Sequence, residues 1–251
     1  MKNKKYLSAI WGLVPIIIFL SLWEIIARIK IIAGRVYLPP FSLVLTQLYQ
    51  LTLNGTLGFH FMKSLTRLLF GFLGGSLAGL LMGVLMGWYK LINKALNPII
   101  NLLYPIPALG WLPILMLWLG IGEILPILLI FLSSFFPVLY NTVTGIKNVG
   151  QEYIDDAKIL GASNRDILLL VVIPLSLPNI FTGLKLGSGV AWRVIIAAEM
   201  VAIPTGIGAL MMKAESLMRL DIIIVCLMVL TFMCFLFERI LSFLEKRFNK
   251  F

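Results

Sequence analysis

Apolar blocks of roughly 20 residues, the length a helix needs to cross ~30 Å of hydrocarbon, recur along this chain. The first runs from about Leu7 to Ala27 and the last from Asp221 to about Phe243. Hydrocarbon supplies no water to the peptide group, so only helices, which satisfy it internally, and closed barrels can span. No stretch alternates polar and apolar residues at the strand period that a barrel wall requires. The chain is therefore expected to be all-α and polytopic, with about six transmembrane helices. Composition agrees: 60% of the residues are hydrophobic and 13% charged, against about 25% charged in a soluble domain.

The first span follows the Lys-rich start Met1-Lys-Asn-Lys-Lys5 and imitates a secretory signal. Glu24 lies inside it and no small-residue cleavage site follows, so an uncleaved anchor is expected. Further spans are expected at Ser64 to Trp88, Pro107 to Leu119, Ile124 to Gly145 and Asn179 to Ile203. Leu38-Pro-Pro-Phe-Ser42 opens a surface helix over Leu43 to Leu53, with Ser42 available as its cap. Residues 1–62 thus form an anchor and an external connection, and residues 63–251 the core, which contains a polar segment at 147–178.

Gly75, Gly79, Gly83 and Gly87 form a small-residue stripe along the second span. Lipid tails are as apolar as Leu, so helices associate in a bilayer through close backbone approach, and the stripe is read as packing within the subunit. Pro105, Pro107 and Pro113 interrupt the third span. At membrane depth the carbonyls they free are tolerated only against protein or a water-filled cavity, so this span is expected to face a pathway.

The net charge of +10 is spread over termini and loops, which fits membrane orientation and not nucleic-acid binding. Lys2, Lys4, Lys5, Lys90, Lys94, Lys147, Lys158, Arg165, Arg239, Lys246, Arg247 and Lys250 outnumber the opposite set of Arg28, Lys30, Arg35, Lys63, Arg67, Lys213 and Arg219. This excess puts both termini in the cytoplasm. Cys226 and Cys234 sit about two turns apart on one apolar helix, too far apart for a mutual disulfide. His60 has no neighbouring His or Cys, and no nucleophile elbow or phosphate loop is present. No catalytic residue, metal site or cofactor of the chain's own is expected. An ion-driven carrier needs paired or serial acids inside its spans, whereas only Glu24 and Glu199 qualify here. A gradient-driven carrier or channel is accordingly the disfavoured alternative.

The polar segment reads as a helix-turn-helix from Gln151 to Leu170. Asp155 and Asp156 suit a helix start, Ala157 and Leu160 offer an apolar edge, Gly161 permits a sharp turn, and Ser163 caps the next helix. Pro174 and Pro178 would delimit a stiff lever. Such an element suits docking by a soluble motor.

At these residues the chain resembles a known family. Asp155-Asp156-Ala157, Gly161, Val171 and Ile173-Pro174 resemble the Glu-Ala-Ala, Gly, Ile-x-Leu-Pro coupling motif in the permease subunits of binding-protein-dependent ABC importers. Asp155-Asp156 replaces the motif's Glu-Ala, and Val and Ile stand for its Ile and Leu. Further matches look like the nitrate, sulfonate and taurine branch: Leu38-Pro-Pro, Ser64-Leu-Thr-Arg-Leu-Leu-Phe-Gly71, Pro105-Ile-Pro-Ala-Leu-Gly-Trp-Leu-Pro113, Leu117-Trp-Leu-Gly-Ile-Gly-Glu123, Phe136-Pro137, Phe181-Thr-Gly-Leu-Lys-Leu-Gly187, Ala191-Trp-Arg, Ala197-Ala-Glu-Met200 and Gly206-Ile-Gly208.

The resemblance implies a type I importer fold in a bacterial inner membrane. It implies cytoplasmic ATP-binding subunits that use ATP and Mg, an external substrate-binding protein, and a second copy of this chain. Asp155, Asp156, Ala157, Leu160, Gly161, Ala162, Arg165, Ile173 and Pro174 would then meet the ATPase, and the chain itself would be no enzyme. The cargo implied is a small anion such as a sulfonate, taurine or nitrate, with a thiamine-precursor pyrimidine as the alternative.

Pathway candidates come from the fifth span. Exposing Glu199 to lipid would cost roughly 2.5 to 3.5 kcal/mol on insertion scales, so it should face a cavity or partner. Arg193 lies about 120° round the helix from it at ~3.6 residues per turn, which disfavours an intrahelical pair, while Trp192 shares its face. Trp192 and Glu199 are expected to line or gate the pathway, and Arg193 to supply counter-charge. Lys185 is expected to snorkel to headgroups, and Trp88, Tyr89 and Trp111 to anchor at interfaces.

Overall fold

The computed structural model describes residues 2–29 and 38–248, with side chains described from Val14 onward. In chain order its helices are α1 (Lys2–Ile29), α2 (Phe41–Leu53), α3 (Thr56–Trp88), α4 (Lys90–Leu103), a 3-10 turn (Ala108–Trp111), α5 (Leu112–Leu119), α6 (Ile124–Lys147), α7 (Gln151–Ile159), α8 (Asn164–Asp166), a π-helical turn (Ile167–Val172), α9 (Ile173–Ala202), α10 (Ile207–Ser216) and α11 (Leu220–Phe248). No strand occurs among the described residues.

Among the described residues, four helical stretches are long and apolar enough to span: Thr56–Trp88, Ile124–Lys147, Asn164–Ala202 and Leu220–Phe248. The pair Lys90–Leu103 and Ala108–Leu119, bent by 81°, passes the same test together and is a fifth candidate, as a broken span or a re-entrant loop. The expected first span falls within α1, and the side chains of its first half lie outside the described residues. The third crossing begins earlier than expected. α5 has only 8 residues, about 12 Å of helix, too short to span alone, so it qualifies only together with α4 across the break at Pro105 and Pro107.

The fifth span also starts earlier, because α8, the π turn and α9 form one apolar stretch of 39 residues. Pro174 and Pro178 do not end it. A proline ring collides with the carbonyl four residues back, and for Pro174 that residue is Leu170, inside the widened π turn. The extra residue in that turn lets the helix continue past the proline.

The glycine stripe does what its spacing implies. A Cβ at Gly75 would come within 2.3 Å of the Phe131 carbonyl oxygen, at Gly79 within 2.5 Å of that of Phe135, at Gly83 within 2.6 Å of Thr142 Cβ, and at Gly87 within 2.8 Å of Ile146 Cβ. α3 and α6 therefore touch backbone to backbone inside one subunit. On the other flank of α6, Gly145 and Gly183 bring α9 equally close, each 2.8 Å in Cβ terms from an Asn Cβ across the seam. α6 is the central helix of an α3–α6–α9 layer. α11 packs on α9, where the Phe237 ring meets Phe72 at 5.2 Å and Trp192 at 6.3 Å between centroids.

At the entry to α2 the cap differs from expectation. Pro40 holds the N-cap position, and the Ser42 N–H donates to Glu24 Oε2 of α1 at 3.1 Å. Glu24 also accepts from Arg28 Nε at 2.7 Å, so α1 is tied to the surface helix by a carboxylate at a helix N-terminus.

Candidate coupling segment and buried charge cluster

Two features close opposite ends of the α3–α6–α9 layer. At one end, α7 and the start of the long helix pack on Ile146, Ile167 and Val172. At the other, charged side chains meet between α3, the α5–α6 turn and the end of α9.

α7 begins after Gly150, with Glu152 in its first turn. Asp155 and Asp156 are therefore mid-helix, not at its start, because the helix extends one turn further back. Asp155 accepts from Gln151 Nε2 at 3.0 Å and from Lys158 Nζ at 3.1 Å. These donors, the Gln151 amide foremost, hold its carboxyl below the usual value. α7 ends where Gly161 N–H donates to the Lys158 carbonyl at 2.9 Å and Ala162 N–H to that of Ala157 at 3.0 Å. This is a Schellman closure, and it needs the left-handed φ of +84° that Gly161 adopts. Ser163 and Asp166 then form a reciprocal capping box at the start of α8, a second local lock on the turn.

The closure sorts the expected apolar edge into two. Ala157 and Ala162 turn inward onto the Ile146 cluster, whereas Ile159 and Leu160 point out, 83% and 86% exposed. Covering one such side chain is worth about 1.5–3 kcal/mol. Asp156 and Arg165 are also exposed, and Ile173 and Pro174 are half-buried in the helix that leads away. Arg165 lines, with Trp88, Tyr89 and Leu169, a cavity of about 510 Å³ beside this tip.

At the other end, Arg67 and Glu199 are each 1% exposed and pair through Nη1 and Oε1 at 2.7 Å. Arg67 also holds Glu123 with two parallel bonds, Nε to Oε2 at 2.5 Å and Nη2 to Oε1 at 2.9 Å. Its remaining donors reach the Thr205 carbonyl and hydroxyl, both at 2.6 Å. Glu199 Oε2 accepts from Ser64 Oγ at 2.7 Å and from Gly208 N–H at 3.1 Å. Every strong donor and acceptor of the pair is therefore used, the condition under which buried charge is tolerated. Gly206, at φ +115°, lies against the carboxylate so closely that a Cβ there would sit 2.2 Å from Glu199 Cδ. The guanidinium beside Glu123 holds that carboxyl below its usual range.

The sequence-based site splits accordingly. Glu199 meets Arg67, which charge counting had assigned to an outer face, and not open space; the physical reason is that a buried carboxylate takes the nearest cation. Trp192 is likewise buried, against Phe237. Arg193 is exposed, so the three candidates do not converge. Lys185 is paired with Glu245 at 2.5 Å, tying α9 to α11. Ser64, Arg67, Glu123 and Gly206 were missed as a unit. The signal available was the spacing of Ser64 and Arg67, three residues apart on one helix face, together with an acid in a span that required a cation.

A family model described as "Binding-protein-dependent transport system inner membrane component" matches residues 75–250. A Methanocaldococcus jannaschii chain is 37% identical over 99% of this chain and 97% of its own length. The taurine transport system permease protein of Escherichia coli (strain K12) is 36% identical over 92% of this chain and 85% of its own. The nitrate import permease protein of Synechocystis sp. is 34% identical over 92% and 86%. These matches cover both the α7 turn and Glu199. This chain belongs to the family of inner-membrane components of binding-protein-dependent transport systems, the permeases of ABC importers.

Proposed function

We propose that this chain forms the membrane pathway for a small anion, of the sulfonate, taurine or nitrate type, in an importer whose ATP chemistry, with its Mg, resides wholly in a partner. Membership of the family implies ATP-binding subunits and a substrate-binding protein as partners. Relatives whose names give taurine and nitrate as cargo support the anion class. A second copy of the chain completes the pore, and both termini and the α7 tip face the cytoplasm. Lys90, Lys94, Lys147, Lys158 and Arg165, all at or near the α7 end, support that orientation.

The single observation that carries the coupling role is the exposed Ile159–Leu160 pair on a turn locked by a Schellman closure and a capping box. A rigid apolar knob offers a partner burial energy without an ordering cost. Asp155, Asp156, Arg165, Ile173 and Pro174 flank it or lead from it into the long helix. Among the pathway candidates, Arg193 is the one whose geometry supports a role toward an anion, since an exposed guanidinium inside a span is costly against lipid and must face a cavity or the second copy.

Leu160→Asp tests the coupling role, because the side chain is outside the fold. Copurification of the ATP-binding subunit and ATP-driven uptake are expected to fall about ten-fold or more, the loss that 1.5–3 kcal/mol of burial implies, with the helical content unchanged. Full uptake by the variant, or by the lone chain in liposomes under an ion gradient alone, contradicts the reading.

A further inference from the structure

At the break between α4 and the 3-10 turn, Tyr104, Pro105, Ile106 and Pro107 are exposed on the surface of the chain. The break lies at mid-depth. α4 starts at the α7 end with Lys90 and Lys94, α5 runs on to Glu123 at the charge-cluster end, and the residues beside the break include Phe136, midway along α6, and Val190 in α9. Irregular backbone at that depth cannot face lipid, because two prolines have removed amide donors and hydrocarbon offers no replacement. This face therefore borders a water-filled space or protein.

A cavity of about 240 Å³ opens beside the break, walled by Tyr104, Trp111, Phe136 and Ser133 among others. That is below the ~300 Å³ at which drug-sized sites begin, and suits a molecule of a few heavy atoms. Tyr104 is braced by the Phe136 ring at 6.0 Å and the Tyr140 ring at 4.5 Å, and Tyr140 donates to Asn101 Oδ1. The Ser133 hydroxyl is already donated to the Ile130 carbonyl at 2.8 Å. Among the described residues, no Lys, Arg or His lines the cavity. Ring faces carry negative electrostatic character, so a bare inorganic oxyanion would lose its hydration here without gaining a donor. A methylene chain gains by burial, and an ammonium gains from the ring faces.

We propose that this aromatic cavity is a subsite on the translocation route for the carbon chain or amino end of an organic anion. The proposal rests on the permease reading above. Trp111 then lines this cavity, in place of the interfacial anchoring that sequence suggested.

Saturation-transfer NMR on the chain in lipid nanodiscs with its ATP-binding subunit, using taurine as probe, tests it. The taurine methylene protons are expected to receive saturation from the protein. Tyr104→Leu and Trp111→Leu, both in half-exposed walls, are expected to weaken taurine binding about ten-fold, as loss of an aromatic contact implies. Nitrate at the same concentration is expected to leave the signal in place. Undiminished binding in both variants overturns the proposal, as does displacement by nitrate as efficient as by unlabelled taurine, or displacement only by lipid acyl chains. Retention of the ATP-binding subunit in the same preparation upholds the permease reading whatever the NMR shows, and its loss breaks that reading alone.

Discussion

At the residue scale, the Arg67–Glu199–Glu123 cluster decides how the charge-cluster end is held. Removing one partner of a buried pair leaves an uncompensated charge, so Glu199→Ala is expected to cost about 3–5 kcal/mol, read as a lowered unfolding midpoint. An apolar double replacement, Arg67→Met with Glu199→Leu, is expected to recover most of that loss; failure to recover would mean that the pair does more than balance charge. Glu123 is 54% exposed, and its carboxyl is held low by Arg67. A depressed carboxylate stabilises above its unfolded value of about 4.3 and loses that contribution as pH falls through the lower folded value. Thermal unfolding of the wild type is thus expected to weaken in acid below about pH 4 more steeply than that of Glu123→Gln; parallel pH profiles would refute the bond. Sequence showed that Glu199 needed a partner. It could not name Arg67, because that contact joins residues 132 positions apart, beyond the reach of any local periodicity.

At the element scale, the legible features were those with local causes. The α3 glycine stripe announced a close helix contact, and Gly161 followed by Ser163 announced a turn and a cap. The start of α7 at Gln151 was legible as the edge of the polar segment, but Asp155-Asp156, read as helix-start acids, lie mid-helix, and the N-cap, Gly150, carries no side-chain signal. The π turn was illegible, since proline spacing alone does not say whether a helix ends or widens. The seam makes a sharp expectation. With a Cβ at Gly79 only 2.5 Å from the Phe135 carbonyl oxygen, Gly79→Leu must push α3 off α6, and overpacking of a dense interior costs about 1–3 kcal/mol or more. Gly58→Leu, where nothing lies within 4 Å, is the control and is expected to be near neutral. Equal stability of the two variants in detergent would contradict the seam.

At the scale of the whole molecule, an α3–α6–α9 layer joins a locked apolar tip at one end to the Arg67 charge cluster at the other. The long helix Asn164–Ala202 starts beside the tip and carries Glu199 near its far end, so one continuous helical stretch connects the two. Class and approximate span count were readable from apolar block length alone, since bilayer thickness fixes that length. The bent crossing was not, because 81° between α4 and the following turn depends on what α6 and α9 offer to pack against. The central claim, that the tip is a cytoplasmic handle for an ATP-binding subunit, is tested most directly by a single cysteine. Leu160→Cys, with Cys226 and Cys234 replaced by Ala, is expected to crosslink to the ATP-binding subunit and to resist a membrane-impermeant maleimide added outside intact cells. Labelling from outside, with no crosslink formed, would contradict it.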